Sequence, residues 1–180
     1  IPFVGMVPAV KPAASTSQSR RVGVMATSAT FQGEMFDDLV QRFASDVEIV
    51  RQVCPGLVQA VEKGQVESPE TIQLLAEYVR PLVEARVDTI VLGCTHYVFL
   101  RSAVQRLVGP NVAVIDSGRA VARQTARLLR EKALLNASDN KGRTHYFTTG
   151  EAEQVAGVIA RLTGDTTPLV TGISLPSPAP

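Results

Sequence analysis

The sequence has no tryptophan, and its aromatic fraction is only 5%. That argues against the stacking platforms on which single-stranded nucleic acid is held. Cysteine is as scarce, with two in 180 residues, too few for a disulfide framework. Free thiols and a reducing, cytoplasmic compartment are the expectation. Charge of one sign is also missing. Lys and Arg number 18 against 17 Asp and Glu, a formal net charge of +1. No basic surplus points to nucleic acid, and no acidic block points to a solvating tail. No run approaches the roughly 20 apolar residues of a membrane span, so no membrane partner is expected. The first residues, Ile1-Pro2-Phe3-Val4, are apolar but have no basic leader, and they do not read as a signal peptide.

What is present is an alternation of short apolar runs and amphipathic stretches. Arg21–Ala26 reads as a buried strand, followed by a single helix from Ser28 or Thr30 with Phe31, Met35, Phe36, Leu39, Val40 and Phe43 at helical spacing. Val47–Val50 is a short strand, and Gly56–Glu62 a helix stopped at Gly64. Ser68-Pro69-Glu70 opens a helix to about Ala85, bent or restarted at Pro81. Val87–Leu92 is apolar on both faces, as in a parallel strand covered by helices. A helix over Tyr97–Val108, a strand over Val112–Ile115 and a helix over Ser117–Glu131 follow. After a polar loop at 136–142 come a strand, His145–Thr148, a helix, Glu151–Leu162, and a Thr/Gly/Ser/Pro-rich end read as a flexible tail over 166–180.

Strands alternating with helices predict an α/β fold built on a parallel sheet in three layers. Ligands of such sheets bind beyond the carboxyl ends of the strands. The residues to watch are therefore Thr27–Thr30, Gly93–His96, Asp116–Gly118 and Thr149-Gly150.

Gly93-Cys94-Thr95-His96-Tyr97 carries the most chemistry. A cysteine between a strand and a helix lies near the positive end of the helix dipole, a field that favours the thiolate. Thr95, with nearby backbone N–H groups, suits a carboxylate, and His96 can hydrogen-bond the thiol or the substrate. A lone cysteine at a strand end is more commonly a small buried hydrophobe. Set against that, the flanking Gly, Thr and His form a nucleophile-plus-base pattern. Cys94 and His96 would also serve a cysteine acyl transferase, but neither an oxyanion hole nor an orienting acid can be identified. Metal binding is weakly supported, since Cys-x-His offers two ligands and the one remaining histidine is the distant His145.

Leu92-Gly93-Cys94-Thr95-His96-Tyr97 is very similar to the second cysteine motif of the glutamate racemase family. Val7-Pro8-Ala9-Val10-Lys11-Pro12-Ala13, Val24–Thr30, Cys54-Pro55-Gly56-Leu57-Val58 with Glu62-Lys63-Gly64, Ile115–Gly118 and Tyr146–Gly150 resemble further parts of the same family. The likeness runs from Ile1 to about Leu162, and departs at Val98, where the family usually has proline.

The resemblance implies interconversion of L- and D-glutamate by two opposed thiols. It implies neither organic cofactor nor metal, glutamate as the small-molecule substrate, and a role in peptidoglycan synthesis. It assigns Cys94 as one catalytic thiol, with His96 assisting it, and Thr95 and His96 as substrate contacts. Glu62 matches an auxiliary acid, and a solvated helix-end glutamate is the alternative. Thr27 and Thr30 either line the pocket or cap a helix. Cys54 matches a non-catalytic cysteine. The resemblance further implies a second α/β domain at 4–116, and a returning segment of a first, similar domain at 117–165. The family's earlier strand-Asp-Ser-Gly and strand-Cys-Asn-Thr segments do not precede Ile1. The chain alone is therefore expected to be inactive and to expose Val121, Leu128 and Leu129. Homodimers are common in the family, although no interface signature is visible. A racemase-like half domain that binds a small carboxylate or a protein partner without catalysis is the alternative function.

Overall fold

The computed structural model describes residues 2–136, 138 and 142–175. Four parallel strands form the main sheet in the order β2-β1-β3-β4: β1 (Arg21–Ala26), β2 (Glu48–Val53), β3 (Thr89–Leu92) and β4 (Ala113–Ile115). Parallel neighbours need long crossovers, and helices supply them. Between β1 and β2 lie α2 (Ser28–Gln32) and α3 (Glu34–Phe43); between β2 and β3 lie α4 (Leu57–Glu62) and α5 (Pro69–Glu84). A 3-10 turn at Tyr97–Leu100 and α6 (Arg101–Val108) join β3 to β4. The chain steps from β1 to one side, then crosses back over it to β3. With right-handed crossovers, that reversal puts α3 on one face of the sheet and α5 and α6 on the other. The packing agrees: α1 (Val10–Thr16) lies against α3, and α5 against α6.

Side-chain alternation along β1 serves both faces. Val22, Val24 and Ala26 join Val10, Ala13, Ala14, Phe36 and Val91 in one buried cluster. Gly23 turns the other way, where a Cβ would come within 3.1 Å of both Leu82 methyl groups. All four residues of β3 are buried, as a strand covered on both faces requires.

The helix expected after β1 is two helices. Gly33 adopts an extended conformation (φ −82°, ψ 134°), ending α2 and opening α3 with Glu34 and Asp37 in its first turn. Of the periodic apolar residues only Phe36 is buried, while Met35 is 70% exposed. Pro81 does not interrupt α5, which continues to Glu84 although the proline has no N–H to give the helix. The expected helix over 97–108 begins as a 3-10 turn, with Tyr97 N–H donating to the Cys94 carbonyl (3.1 Å) and Phe99 N–H to that of His96 (3.2 Å).

The chain divides into two compact units. The first runs to Val61 and resumes over Gln65–Leu135; the second comprises Glu62–Gly64 and the chain from Asn136. Helix α7 (Gly118–Glu131) groups with the first unit and has no buried residue; Val121, Leu128 and Leu129 are half-buried. In the second unit β5 (His145–Thr148), α8 (Ala152–Thr163) and β6 (Leu169–Gly172) form a parallel β-α-β unit, paired from His145↔Leu169 to Thr148↔Gly172. The segment 166–180, expected as a flexible tail, therefore contains a strand. Its apolar core is short, and the surrounding Thr, Gly and Pro dominate the composition. Positions 176–180 of that segment, and 137 and 139–141 of the expected polar loop, lie outside the described residues.

At the amino end of the sheet, Asp88 holds the turn into β1. Its carboxylate accepts from Ser17 Oγ (2.7 Å), Gln18 N (2.6 Å), Ser19 N (2.6 Å) and Thr89 Oγ1 (3.2 Å). Burial works to raise the carboxyl, but the hydrogen bonds from Ser19, Ser17, Gln18 and Thr89 together hold it below its ordinary value of 3.8. A carboxyl depressed in the folded state stabilises the fold above its unfolded pKa. That contribution is lost as pH falls through the lower, folded value. Urea midpoints measured from pH 6 downward should fall more steeply below about pH 4 for the wild type than for Asp88→Asn, which should be the weaker fold at pH 6.

Helix α5 ends with Arg86 N–H bonded to the Val83 carbonyl (2.9 Å) and Val87 N–H to that of Leu82 (3.3 Å). This leaves Arg86 at φ 57°, a left-handed position that glycine adopts without strain. Arg86→Gly is expected to raise stability by about 0.5–1 kcal/mol, seen as a higher urea midpoint with an unchanged slope.

Candidate functional site

The order β2-β1-β3-β4 reverses direction between β1 and β3, which opens a crevice beyond their carboxyl ends. Three of the strand-end segments singled out in the sequence meet there. A cleft of about 500 Å³ is lined by Thr30 from the β1 side, Gly93, Cys94 and Thr95 after β3, and Ser117 and Gly118 after β4. The fourth segment, Thr149-Gly150, follows β5 in the second unit.

The segment after β3 is held by its backbone. Gly93 N–H donates to the Met25 carbonyl at 2.8 Å, extending the pairing of β1 with β3 by one residue. A Cβ at Gly93 would come within 3.2 Å of that same carbonyl oxygen and of Ala26 Cβ, so glycine permits the approach. Cys94 is half-buried, with its Sγ 3.8 Å from His96 Nδ1. Thr95 Oγ1 lies 3.4 Å from the same nitrogen. Thiol, imidazole and hydroxyl are thus gathered within one turn.

Thr27 caps α2: its Oγ1 accepts from Thr30 N at 3.4 Å and lies 3.1 Å from Thr30 Oγ1. Of this pair it is Thr30 that lines the cleft. Glu62 is the last residue of α4 and is not one of the lining residues. Ser117 Oγ donates to the Val7 carbonyl at 2.6 Å, which fastens the N-terminal segment beside the cleft. Helix α7 starts at Gly118, so its positive end lies at the cleft, where it favours a bound carboxylate.

The other wall is apolar: Met6, Val7 and Pro8 from the N-terminal segment, Met35, Phe36 and Leu39 from α3, and Val98. The sequence reading did not assign these residues to a site. The available signal was the apolar stripe of α3, which faces ligand space at Met35 as well as the core at Phe36. Such a wall gives the half-exposed thiol an apolar neighbour on one side.

The second cysteine is chemically different. Cys54 is buried, its Sγ donates to the Gln52 carbonyl at 3.3 Å, and burial pushes its thiol up to about 12. It is a packing residue at neutral pH.

A larger cleft, about 710 Å³, lies at the amino ends of β3 and β4. Three of its polar side chains are already engaged: Asp88 in its clamp, Gln105 on the Gly109 and Val112 carbonyls, and Arg106 on Glu67. The position opposite the carboxyl ends also argues against it. Among the described residues no three His, Cys, Asp or Glu side chains group as metal ligands, and no helix is long and apolar enough to cross a membrane.

Known proteins share sequence and fold with this chain. The family model described as Asp/Glu/Hydantoin racemase matches residues 1–125. A protein named glutamate racemase from Herpetosiphon aurantiacus is 50% identical over 88% of this chain and 62% of its own length. One of the same name from Roseiflexus is 46% identical over 90% and 60%. The chain thus spans about three fifths of these curated relatives. Among solved structures, Escherichia coli glutamate racemase, in complex with L-glutamate and the activator UDP-MurNAc-Ala, superposes with a TM-score of 0.78 at 30% identity, covering 96% of this chain and 65% of that one. The Thermus thermophilus glutamate racemase, in complex with β-chloro-D-alanine, gives 0.71 at 32%, covering 92% and 61%. With the family model covering most of its length and the fold shared with these enzymes, the chain belongs to the Asp/Glu/Hydantoin racemase family.

Proposed function

We propose that this chain supplies one face of a glutamate racemase site, with Cys94 as one of its two proton-transfer thiols. The observation that carries the reading is Cys94 in the crevice at the β1/β3 switch point, its sulfur 3.8 Å from an imidazole nitrogen and flanked by hydroxyls. Inverting an α-carbon without a cofactor needs a base on one face and an acid on the other. In this reading the Cys94 thiolate takes the α-proton from L-glutamate to form S–H. The electron pair passes to the α-carbon and its carboxylate, and an opposing thiol returns a proton on the far face. Thr95 and the start of α7 receive carboxylate. His96 holds the Cys94 sulfur and accepts or returns its proton. Thr30 contributes a hydroxyl and Thr27 positions Thr30, while the part of auxiliary acid falls to Glu62 on the family resemblance alone.

Cys54 is unsuited to be the opposing thiol, because it is buried and does not line the cleft. The reading draws that thiol from outside these 180 residues, from the part of the relatives' length that the chain does not span or from a second chain. Within the whole protein, 4–116 would form one α/β domain and 117–165 would return to its partner domain. The product would be D-glutamate for peptidoglycan, made in the cytoplasm.

The test is a chimera in which residues 4–165 replace the matching part of the Herpetosiphon relative. It should racemise L-glutamate and exchange its α-hydrogen in deuterium oxide. Cys94→Ser in the chimera should lower both by at least ~1,000-fold. A folded chimera with neither activity, or one indifferent to Cys94→Ser, would refute the proposal. The 180-residue chain alone should yield no D-glutamate.

The two thiols should also separate by reactivity. At pH 7.5 iodoacetamide should label Cys94 and leave Cys54 unmodified until urea unfolds the chain, as peptide mass spectrometry would show.

A further inference from the structure

Tyr97 is wholly buried, and its hydroxyl donates to the Cys54 carbonyl at 2.9 Å. The same residue's backbone N–H donates to the Cys94 carbonyl at 3.1 Å, closing the turn Cys94-Thr95-His96-Tyr97. At the other end of that turn Gly93 N–H is bonded to Met25 of β1. The three residues that carry the chemistry therefore sit in a short span anchored at both ends, to β1 before Cys94 and to the exit of β2 after His96. The exit of β2 is itself fixed, since Cys54 N–H donates to the Ala26 carbonyl at 3.1 Å. Burial pushes the Tyr97 hydroxyl above its ordinary value, so it remains a neutral donor. We infer that Tyr97 is a positioning residue, whose hydroxyl bond to the Cys54 carbonyl sets the Cys94–His96 pairing by fixing the far end of their turn.

The inference rests on Cys94 being the proton-transfer thiol, and it explains what Cys54 contributes: a backbone carbonyl, with the thiol serving as packing. Without the hydroxyl, a buried carbonyl loses its partner and the turn loses one anchor. Tyr78 makes a comparison within the same molecule. Its hydroxyl donates to the neighbouring Pro55 carbonyl at 2.9 Å, but it stands on α5 and takes no part in the Cys94 turn.

The experiment is the rate of Cys94 alkylation by iodoacetamide at pH 7.5 in the 180-residue chain, with Cys54 labelling as the internal report on unfolding. Because no turnover is needed, failure here is distinguishable from failure of the racemase reading, which the chimera tests. Tyr97→Phe should slow Cys94 alkylation by about threefold to tenfold, the range set by one hydrogen bond, with Cys54 still protected. The slowing should vanish in a His96→Gln background, because the pairing it disturbs is then absent. Tyr78→Phe should leave the Cys94 rate unchanged. An unchanged or faster rate in Tyr97→Phe, a slowing that persists without His96, an equal effect from Tyr78→Phe, or labelling of Cys54 in folded Tyr97→Phe would each overturn the assignment.

Discussion

The parallel pairing of β1 with β3 is the constraint from which the rest of the structure follows. The register runs from Val22↔Thr89 to Met25↔Leu92, and Gly93 extends it by donating to Met25. Because side chains alternate along a strand, a slip of one residue would turn Val22, Val24 and Ala26 away from α1 and α3. It would also carry Cys94 away from Thr30. Core packing and the geometry of the cleft are therefore set by the same register. Glycine matters at both points of closest approach: Gly23 leaves room for Leu82, and Gly93 brings the Cys94 turn against β1.

The two ends of this sheet do different work. At the amino end a carboxylate is spent on structure: Asp88 gathers the donors of the turn into β1. At the carboxyl end a thiol and hydroxyls line a cleft beside an apolar wall, with the His96 imidazole next to the thiol. The larger cleft at the amino end is the poorer site because it lies away from the strands' carboxyl ends and its charged side chains, Asp88 and Arg106, already have partners. Volume alone does not distinguish the two, whereas available chemistry and position relative to the strand ends do.

Much of this was legible in the sequence. β1 was recognised at Arg21–Ala26 and β5 at His145–Thr148, and β3 lay within the expected run. Compact apolar, β-branched or aromatic runs bounded by polar residues carry a strong local signal for such strands. The start of α5 at Ser68-Pro69 was equally clear, because a capping hydroxyl and a proline act locally. The less regular features were harder to see. Gly33 reads as a tolerated helix residue until it is seen to divide α2 from α3. The 3-10 turn at Tyr97 depends on carbonyls that only the folded turn brings close. β6 is a strand because β5 is beside it, since four residues amid Thr, Gly and Pro carry too weak a pattern alone.

The sequence by itself determined the α/β class and the place of the Cys94-Thr95-His96 segment after a buried strand. These are local properties, set by hydrophobic pattern and by residue type at a strand end. Only the tertiary structure decided which strands are neighbours, and so which strand ends share a crevice. Strand order is a long-range property that no local pattern encodes. It is the order β2-β1-β3-β4 that sets Thr30 beside Cys94, places the start of α7 across from them, and makes Tyr97 the tie between the two cysteine segments. The difference between the cysteines has the same origin: side chains from distant parts of the chain close over Cys54 and leave Cys94 half open.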